Sequence, residues 1–323
     1  SANMFKLNDT AQIKFMGLGY SETPKMLKDG VRCDDTIACN ITSYAGGVLL
    51  ANVASFSNYT LQANLSCGDT ITSNTNMDLD LTGCTGDGVT IGANNIILNC
   101  SGKIIEGDGD FADYGISNLN GFSNITIKNC VVKNFGFGIS FQSSFNSTIW
   151  NNTIGHVNVS GDTGGGISFA NCTQANISNN IITNITAAAN GDPYGITYHE
   201  FKIDAPTALT ISNSVIFANN ISRIFGVDDD TPFGIIIGDT FILTLDGLKV
   251  DNNIIYNINC TSAGVGTACE TIGGVGIKVN SGTNVNITNN NITHSVTGIL
   301  PDQPNLRIIG NYFTADTYGI YTV

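Results

Sequence analysis

The sequence predicts an all-β protein, a single-stranded right-handed parallel β-helix (solenoid) with a non-repeat N-terminal β segment. A Gly-Ile dipeptide recurs eight times from position 115 onwards, at spacings of 21 to 42 residues. Between the dipeptides, polar and β-branched residues alternate with a period of two, and no stretch has the apolar periodicity of a helix. A fixed motif at variable spacing is typical of a solenoid whose insertions leave through loops. The dipeptides begin at Gly115, Gly138, Gly166, Gly195, Gly234, Gly276, Gly298 and Gly319.

The repeat divides the chain into two regions. Residues 1–60 do not follow it and are predicted to form an N-terminal cap or assembly segment, with strands at Gln12–Met16 and Gly47–Val53. Residues 61–323 are predicted to form the right-handed parallel β-helix. Five of the 13 basic residues lie in the first 32 positions, so the first region also differs from the second in composition.

The shortest repeat gives the size of one coil. Spacings of 21 to 23 residues fit three short strands and their turns, stacked on the coil before at about 4.8 Å. We expect isoleucines to fill the interior. Asparagines that recur near one turn predict a ladder of stacked amides. They are Asn129, Asn152, Asn180, Asn253, Asn290 and Asn311.

Composition disfavours several classes of partner. Charged residues make up 12% of the chain and the formal net charge is −13, which disfavours nucleic acid and anionic membrane surfaces. No apolar run is long enough to span a bilayer. The N-terminus lacks the basic and apolar regions of a signal peptide, so we expect any signal to have been removed already. The glycine runs match no phosphate-binding spacing, and we predict no cofactor.

Nine cysteines in a chain rich in Asn-x-Ser/Thr sequons indicate an oxidising, extracellular environment. Cys100 and Cys130 both follow an Asn at the same position of the repeat, so they either form a disulfide or stack as buried thiols. Cys172 is left over and is predicted to be a small core residue. Three further pairs close short loops and are predicted disulfides, namely Cys33 with Cys39, Cys67 with Cys84, and Cys260 with Cys269.

Sixteen sequons occur, and two explanations compete for them. An Asn turn beside a β-branched Thr produces sequons by chance. Where alternation turns the neighbouring isoleucines inward, however, the Asn faces solvent and could carry a glycan. Asn124 is such a residue, and we expect Asn176 and Asn286 to share its register. The predicted glycosylation sites are Asn58, Asn64, Asn124, Asn146, Asn176 and Asn286.

The segments Cys67–Ile71, Gly86–Ile91, Asn95–Ile105 and Tyr114–Ile116 together resemble secreted right-handed parallel β-helix repeat proteins of the pectate-lyase-like superfold. The resemblance is particularly to archaeal cell-surface proteins of this kind. The resemblance covers roughly residues 65 to 323 and implies the fold. It implies little about activity, because such repeats also occur in carbohydrate-active enzymes, copper-processing periplasmic proteins and adhesins.

The resemblance raises the question of catalysis. Pectate lyases on this scaffold bind Ca²⁺ through Asp residues beside Lys or Arg, and the hydrolases use paired Asp. The sharpest acidic cluster here is Asp228, Asp229 and Asp230, with Arg223 upstream. Three consecutive Asp residues are typical of a solvated turn, and alternatively of a Ca²⁺ site. We assign no catalytic residue.

Two further features suggest a function. Long inserts precede several Gly-Ile motifs, so they should leave the solenoid at one corner and form a loop face suited to binding. An open last coil would expose apolar side chains, and contact with the N-terminal segment of a second copy would cover them. The predicted assembly residues are Phe5, Leu7, Ile13, Phe15, Tyr318, Ile320, Tyr321 and Val323.

These features predict a structural subunit of an extracellular, glycosylated surface filament or coat. The subunit would polymerise head to tail with copies of itself, and its loop face would serve adhesion. The alternative is a protein that binds or cleaves a surface polysaccharide through the loop face.

Overall fold

In a computed structural model of the protein, the described residues are 10–18, 23–36, 38–62, 64–160, 163–189, 191–199, 211–227, 230–238, 245–262, 273–302, 305–314 and 316–322. The chain divides into two compact units, Ser1–Leu65 and Ser66–Val323. Every element within these ranges is a β-strand. The described part of the chain contains no helix of the length and apolarity that a membrane span requires.

The first unit is built from short antiparallel strands around its own small core. Four strands form one sheet in the order β1-β6-β5-β4, and three form another in the order β3-β2-β7. Met26, Leu49 and Ala51 are completely buried there, beside the Cys33–Cys39 disulfide. The strands are β1 (Ala11–Met16), β2 (Lys25–Lys28), β3 (Val31–Arg32), β4 (Asp35–Thr36), β5 (Cys39–Ala45), β6 (Val48–Val53) and β7 (Tyr59–Gln62).

The second unit is a right-handed parallel β-helix of nine coils and one further strand, which confirms the predicted fold. Its strands are β8 (Asp69–Ile71), β9 (Thr75–Asn76), β10 (Leu81–Cys84), β11 (Val89–Ile91), β12 (Ile97–Asn99), β13 (Ile104–Gly107), β14 (Tyr114–Asn118), β15 (Thr126–Lys128), β16 (Val131–Lys133), β17 (Phe137–Gln142), β18 (Thr148–Trp150), β19 (Thr153–Ser160), β20 (Thr163–Ala170), β21 (Asn176–Ser178), β22 (Ile181–Ala189), β23 (Asp192–His199), β24 (Ile211–Ser212), β25 (Val215–Phe217), β26 (Asn220–Val227), β27 (Phe233–Ile237), β28 (Leu245–Asp246), β29 (Lys249–Asp251), β30 (Ile254–Ser262), β31 (Val275–Val279), β32 (Val285–Thr288), β33 (Asn291–Ser295), β34 (Thr297–Pro301), β35 (Leu306–Ile309), β36 (Tyr312–Thr314) and β37 (Tyr318–Ile320).

Each coil contributes one strand to each of three parallel sheets, while β24 and β28 pair separately with each other. Sheet 1 contains β8, β11, β14, β17, β20, β23, β27, β31, β34 and β37. Sheet 2 contains β9, β12, β15, β18, β21, β25, β29, β32 and β35. Sheet 3 contains β10, β13, β16, β19, β22, β26, β30, β33 and β36. The described parts of the inserts lengthen β19, β22, β26 and β30 of sheet 3 and also β20 and β23 of sheet 1.

The Gly-Ile motif lies in the strands of sheet 1, and packing requires its glycine. A Cβ atom on Gly195 would stand 2.4 Å from Cγ2 of Ile221 and 2.6 Å from the carbonyl oxygen of Gly234. A Cβ atom on Gly166 would stand 2.6 Å from Cγ2 of Ile182. The space that a side chain would need is therefore filled by the core of sheet 3. In seven of the eight motifs the following isoleucine has 0% exposure.

A ladder of asparagines lies at the turn between sheets 2 and 3, as predicted. Nδ2 of every member except Asn311, the last, donates a hydrogen bond to Oδ1 of the member in the next coil, at 2.9 or 3.0 Å. Each shared Oδ1 also accepts the backbone N–H of the member before it. The members are Asn152, Asn180, Asn219, Asn253, Asn290 and Asn311.

The prediction that Asn129 belongs to this ladder is wrong. Asn129 lies one residue earlier in its coil, where its Nδ2 donates to Asn99 and its Oδ1 accepts from Asn151. Cys130 takes the ladder position, because its backbone N–H donates to Oδ1 of Asn152. Cys130 is also bonded to Cys100. A disulfide therefore continues the column that asparagines form in later coils.

Candidate functional site

The outer face of sheet 2 presents two columns of side chains to solvent. In its three-residue strands the middle residue, such as Ile149, Ile177 or Ile216, is fully buried, so the flanking residues point outward. The first column is Ile97, Thr126, Thr148, Asn176, Val215, Lys249, Asn286 and Arg307. The second column is Asn99, Lys128, Trp150, Ser178, Phe217, Asp251, Thr288 and Ile309.

An open cleft of about 450 Å³ lies on this face, across the last three strands of sheet 2. Six of its seven lining side chains are polar or charged, and the seventh is an isoleucine. Because parallel strands hold their register through many hydrogen bonds, the cleft has a rigid floor. The lining residues are Lys249, Asp251, Asn286, Thr288, Asn289, Arg307 and Ile309.

The one carboxylate of the cleft is saturated by its neighbours. Nζ of Lys249 lies 2.9 Å from Oδ2 of Asp251. The Oγ1 hydroxyl of Thr288 and Nδ2 of Asn289 both donate to Oδ1. Burial by itself would raise the pKa of Asp251, but hydrogen bonds from Thr288, Lys249 and Asn289 outweigh it and hold that pKa below its usual value. Asp251 is therefore ionised near neutral pH.

The donors of the cleft remain accessible. The side chain of Lys249 is 49% exposed, and an ammonium group has three N–H donors, of which Asp251 takes one. Arg307 is exposed, and within the described ranges it has no acceptor. Asn286 stands between these two cations in the first column. The cleft can accordingly donate hydrogen bonds to an oxygen-rich ligand.

Two aromatic rings follow the cleft along the second column. Phe217 is in register with Asp251, and Trp150 lies two coils further on. Trp150 is 40% exposed and Phe217 is 37% exposed, whereas Ser178 between them is only 5% exposed. The two rings therefore flank a notch whose floor is Ser178. Exposed rings beside polar groups are suited to a ligand with both apolar and hydroxyl surfaces.

Asp230, the described member of the predicted acidic cluster, is not among the residues of this face. Asp230 is buried, and its Oδ1 accepts the backbone N–H of Gly191 in the preceding coil. Asp228 and Asp229 lie outside the described residues. Across the part of the chain that the structure describes, no three His, Cys, Asp or Glu side chains are grouped to hold a metal ion. The Ca²⁺ site stays a prediction.

The predicted glycosylation sites lie on several surfaces. Asn58, Asn124, Asn146 and Asn176 are exposed, and Asn64 and Asn286 are half-buried. The expectation that Asn124, Asn176 and Asn286 share one register is wrong. Asn124 stacks between Asn95 and Asn146, two residues before the first column. Asn176 and Asn286 belong to the first column, and Asn286 lines the cleft.

The predicted disulfides Cys33–Cys39 and Cys67–Cys84 are present. Of the two alternatives for Cys100 and Cys130, the structure shows a disulfide and not a pair of stacked thiols. Disulfides indicate an oxidising environment. Cys260 is also disulfide-bonded, while Cys269, its predicted partner, lies outside the described residues. Cys172 is a buried free thiol, and burial raises its pKa to about 12, which makes it unreactive.

The predicted assembly residues divide into three groups. Ile13 and Phe15 are half-buried against the core of the first unit. Tyr318, Ile320 and Tyr321 are between 41% and 49% exposed. The others lie outside the described residues, namely Phe5, Leu7 and Val323.

Sequence reasoning missed the outer face of sheet 2. The alternation of inward and outward side chains could have identified one of its residues. Because Ile149 points inward, Trp150 must point outward, and Trp150 is the one tryptophan of the chain. No comparable sequence pattern predicts that Lys249, Asn286 and Arg307 lie side by side. Lys249 and Asn286 are 37 residues apart, whereas Asn286 and Arg307 are 21 apart, so the unequal coil lengths hide the register that brings all three together.

No family model matches the sequence, and no curated protein matches it. Three solved structures are similar in fold. The A-module of the Azotobacter vinelandii mannuronan C-5 epimerase AlgE4 is 12% identical over 78% of this chain and 78% of that chain, with a TM-score of 0.36. A mutant tailspike protein of E. coli bacteriophage HK620, in complex with a hexasaccharide, is 13% identical over 80% of this chain and 56% of that chain, with a TM-score of 0.36. The catalytic unit of a GH87 α-1,3-glucanase from Streptomyces thermodiastaticus is 11% identical over 94% of this chain and 86% of that chain, with a TM-score of 0.21. The likeness in each case is to the parallel β-helix fold.

Proposed function

We propose that this protein is an extracellular, cell-surface β-helix protein that binds a polysaccharide on the outer face of sheet 2. The observation that carries the proposal is the cleft, whose walls supply amide, ammonium and guanidinium donors on a rigid floor. Such amide and charged side chains can donate hydrogen bonds to the hydroxyl and acidic groups of a polysaccharide. The disulfides support a location outside the cytosol.

The geometry favours binding over cleavage. Acid–base cleavage of a glycosidic bond generally requires two carboxyl groups, one of which must be protonated. Asp251 is the one carboxylate among the residues that line the cleft. Its low pKa keeps it ionised, and its oxygens are occupied by Lys249, Thr288 and Asn289.

Affinity electrophoresis against a panel of neutral and acidic polysaccharides tests this function. We expect at least one polysaccharide to retard the protein, and we expect Asn286→Tyr, which fills the cleft, to abolish the retardation. Asn291→Tyr is the matched control, because Asn291 is exposed on sheet 3 and is not one of the residues that line the cleft. Equal binding by both variants would exclude the cleft. Absence of binding across the panel would reject the function.

A further inference from the structure

The cleft is a local exception to the charge of the chain. The whole protein carries a formal net charge of −13, yet the cleft contains two cations, Lys249 and Arg307, and a single carboxylate. Asp251 neutralises one positive charge, so the cleft keeps an excess of one. The cleft therefore attracts anions, although the chain as a whole is negatively charged.

Register places the two cations so that they can act on one group. Lys249 pairs with Asn286, and Asn286 pairs with Arg307, so the cations lie two strand spacings apart. That separation is about 9.6 Å between backbones, and both side chains are long enough to converge above Asn286. A guanidinium that has no acceptor in the described part of the chain is suited to a planar carboxylate or to a sulfate.

The same register fixes a direction for a longer ligand. Phe217 lies one coil from Asp251, and Trp150 lies three coils from it, which is about 14 Å along the axis. The rings and the cleft thus form one row parallel to the solenoid axis. The buried hydroxyl residue Ser178 leaves a notch between the rings, so a chain laid along the row would contact each ring in turn.

We propose that the ligand is an acidic polysaccharide that lies parallel to the solenoid axis. Its acidic group binds Lys249 and Arg307, and sugar rings further along the chain stack on Phe217 and Trp150. This inference rests on the proposed function, and it adds the ligand class and the orientation.

Removal of the carboxylates from the polysaccharide tests whether its negative charge is recognised. Hyaluronan, alginate and polygalacturonate are compared with their carboxyl-reduced forms, which keep the same linkages without the carboxylates. We expect the acidic form of at least one polymer to bind, its reduced form to bind at least tenfold more weakly, and Arg307→Gln to lower affinity for the acidic form about tenfold. A sulfated form of the same reduced polymer distinguishes a sulfate from a carboxylate as the recognised group. Equal binding of acidic and reduced forms, still abolished by Asn286→Tyr, would overturn the acidic ligand and leave the proposed function intact.

The single tryptophan reports the orientation. Because Trp150 is the one tryptophan of the chain, its fluorescence is free of other indole signals. We expect octasaccharides of the bound polymer to change this fluorescence, and disaccharides to bind the cleft without changing it. Trp150→Ala should weaken octasaccharide binding about tenfold and leave disaccharide binding unchanged. Phe111→Ala is the control, because Phe111 is similarly exposed on a turn between sheets 3 and 1. Octasaccharide binding with unchanged Trp150 fluorescence, and unweakened by Trp150→Ala, would overturn the axial orientation.

Discussion

Asparagine has two separate structural roles in this chain, and the backbone angle φ distinguishes them. Ladder residues such as Asn180 are buried and hydrogen-bonded to the coils on either side. Turn residues such as Asn124 and Asn151 have φ near +55 to +60°, in the left-handed region that Asn tolerates better than most residues. Both roles favour Asn next to β-branched residues, which gives many of the sequons a conformational cause.

The buried ladder should contribute strongly to stability. In Asn180→Ala, the backbone N–H of Asn152 loses its acceptor, and the carbonyl of Ile149 loses its donor. An unsatisfied buried group costs about 1–3 kcal/mol, so we expect a loss of about 3 kcal/mol in the free energy of unfolding, measured by urea denaturation. Asn291→Ala, at an exposed strand position, should change it by less than about 0.5 kcal/mol. Similar losses in both variants would contradict a special role for the ladder.

Asp251 should link stability to acid pH. Its folded pKa is lowered from 3.8, so the stabilisation is present above the unfolded pKa and is lost as pH falls through the folded pKa. We expect Asp251→Asn to lower the free energy of unfolding by about 1 kcal/mol at pH 7, because Lys249 is partly exposed and water screens the pair. The difference should shrink as the pH is lowered from 7 to below 3.8, because Asp251 then becomes protonated in the folded state as well. A constant difference across this range would show that the fold does not lower the pKa.

Glycosylation of Asn286 would compete with ligand binding in the cleft. A glycan on Nδ2 would fill the cleft that Asn286 lines, whereas glycans at Asn124 and Asn146 would leave it open. We therefore expect peptide mass spectrometry of native protein to find Asn286 unmodified and the exposed Asn124 and Asn146 modified. A fully occupied Asn286 would confirm the glycosylation prediction there and would exclude the cleft as the polysaccharide site.

At the scale of the strand, the Gly-Ile motif makes a sharp stability prediction. A methyl group on Gly195 would overlap Cγ2 of Ile221 and the carbonyl oxygen of Gly234. Overpacking of a tight core costs about 1–3 kcal/mol, so Gly195→Ala should lower the free energy of unfolding by about 2 kcal/mol. Gly86→Ala is the control, because a Cβ atom there has no neighbour within 4 Å. If Gly195→Ala left the free energy of unfolding unchanged, sheet 3 would be able to shift without loss of stability.

The elements differ in how far the sequence predicts them. The strand at Thr126–Lys128, the Gly-Ile motif and the inward isoleucines follow from short-range patterns that the coils repeat. The sequence pattern does not predict that Asn129 lies one residue outside the ladder. Two Asn residues follow each other at 151–152 and at 179–180, so the sequence does not show which of the two is buried. The cleft depends on register between coils of unequal length, and local pattern carries no information about that register.

At the scale of the whole molecule, the head-to-tail filament stays a prediction. In sheet 1, Ile320 pairs with the fully buried Ile299 yet is 49% exposed, so a coil stacked on it from a second copy would bury apolar surface. Negative-stain electron microscopy of natively isolated protein, without reducing agent, should show regular filaments. Removal of residues 1–30 should abolish them. Dispersed short rods in the intact protein would contradict the assembly.

The position of the disulfides has a consequence for how the solenoid forms. Cys67–Cys84 and Cys100–Cys130 both lie within its first three coils, and each later coil makes its main contacts with its immediate neighbours. The cross-linked coils can therefore act as a folding nucleus, on which the later coils pack one after another. Because a cross-link reduces the conformational entropy that the chain loses on folding, we expect the oxidised first coils to form before the coils that follow them.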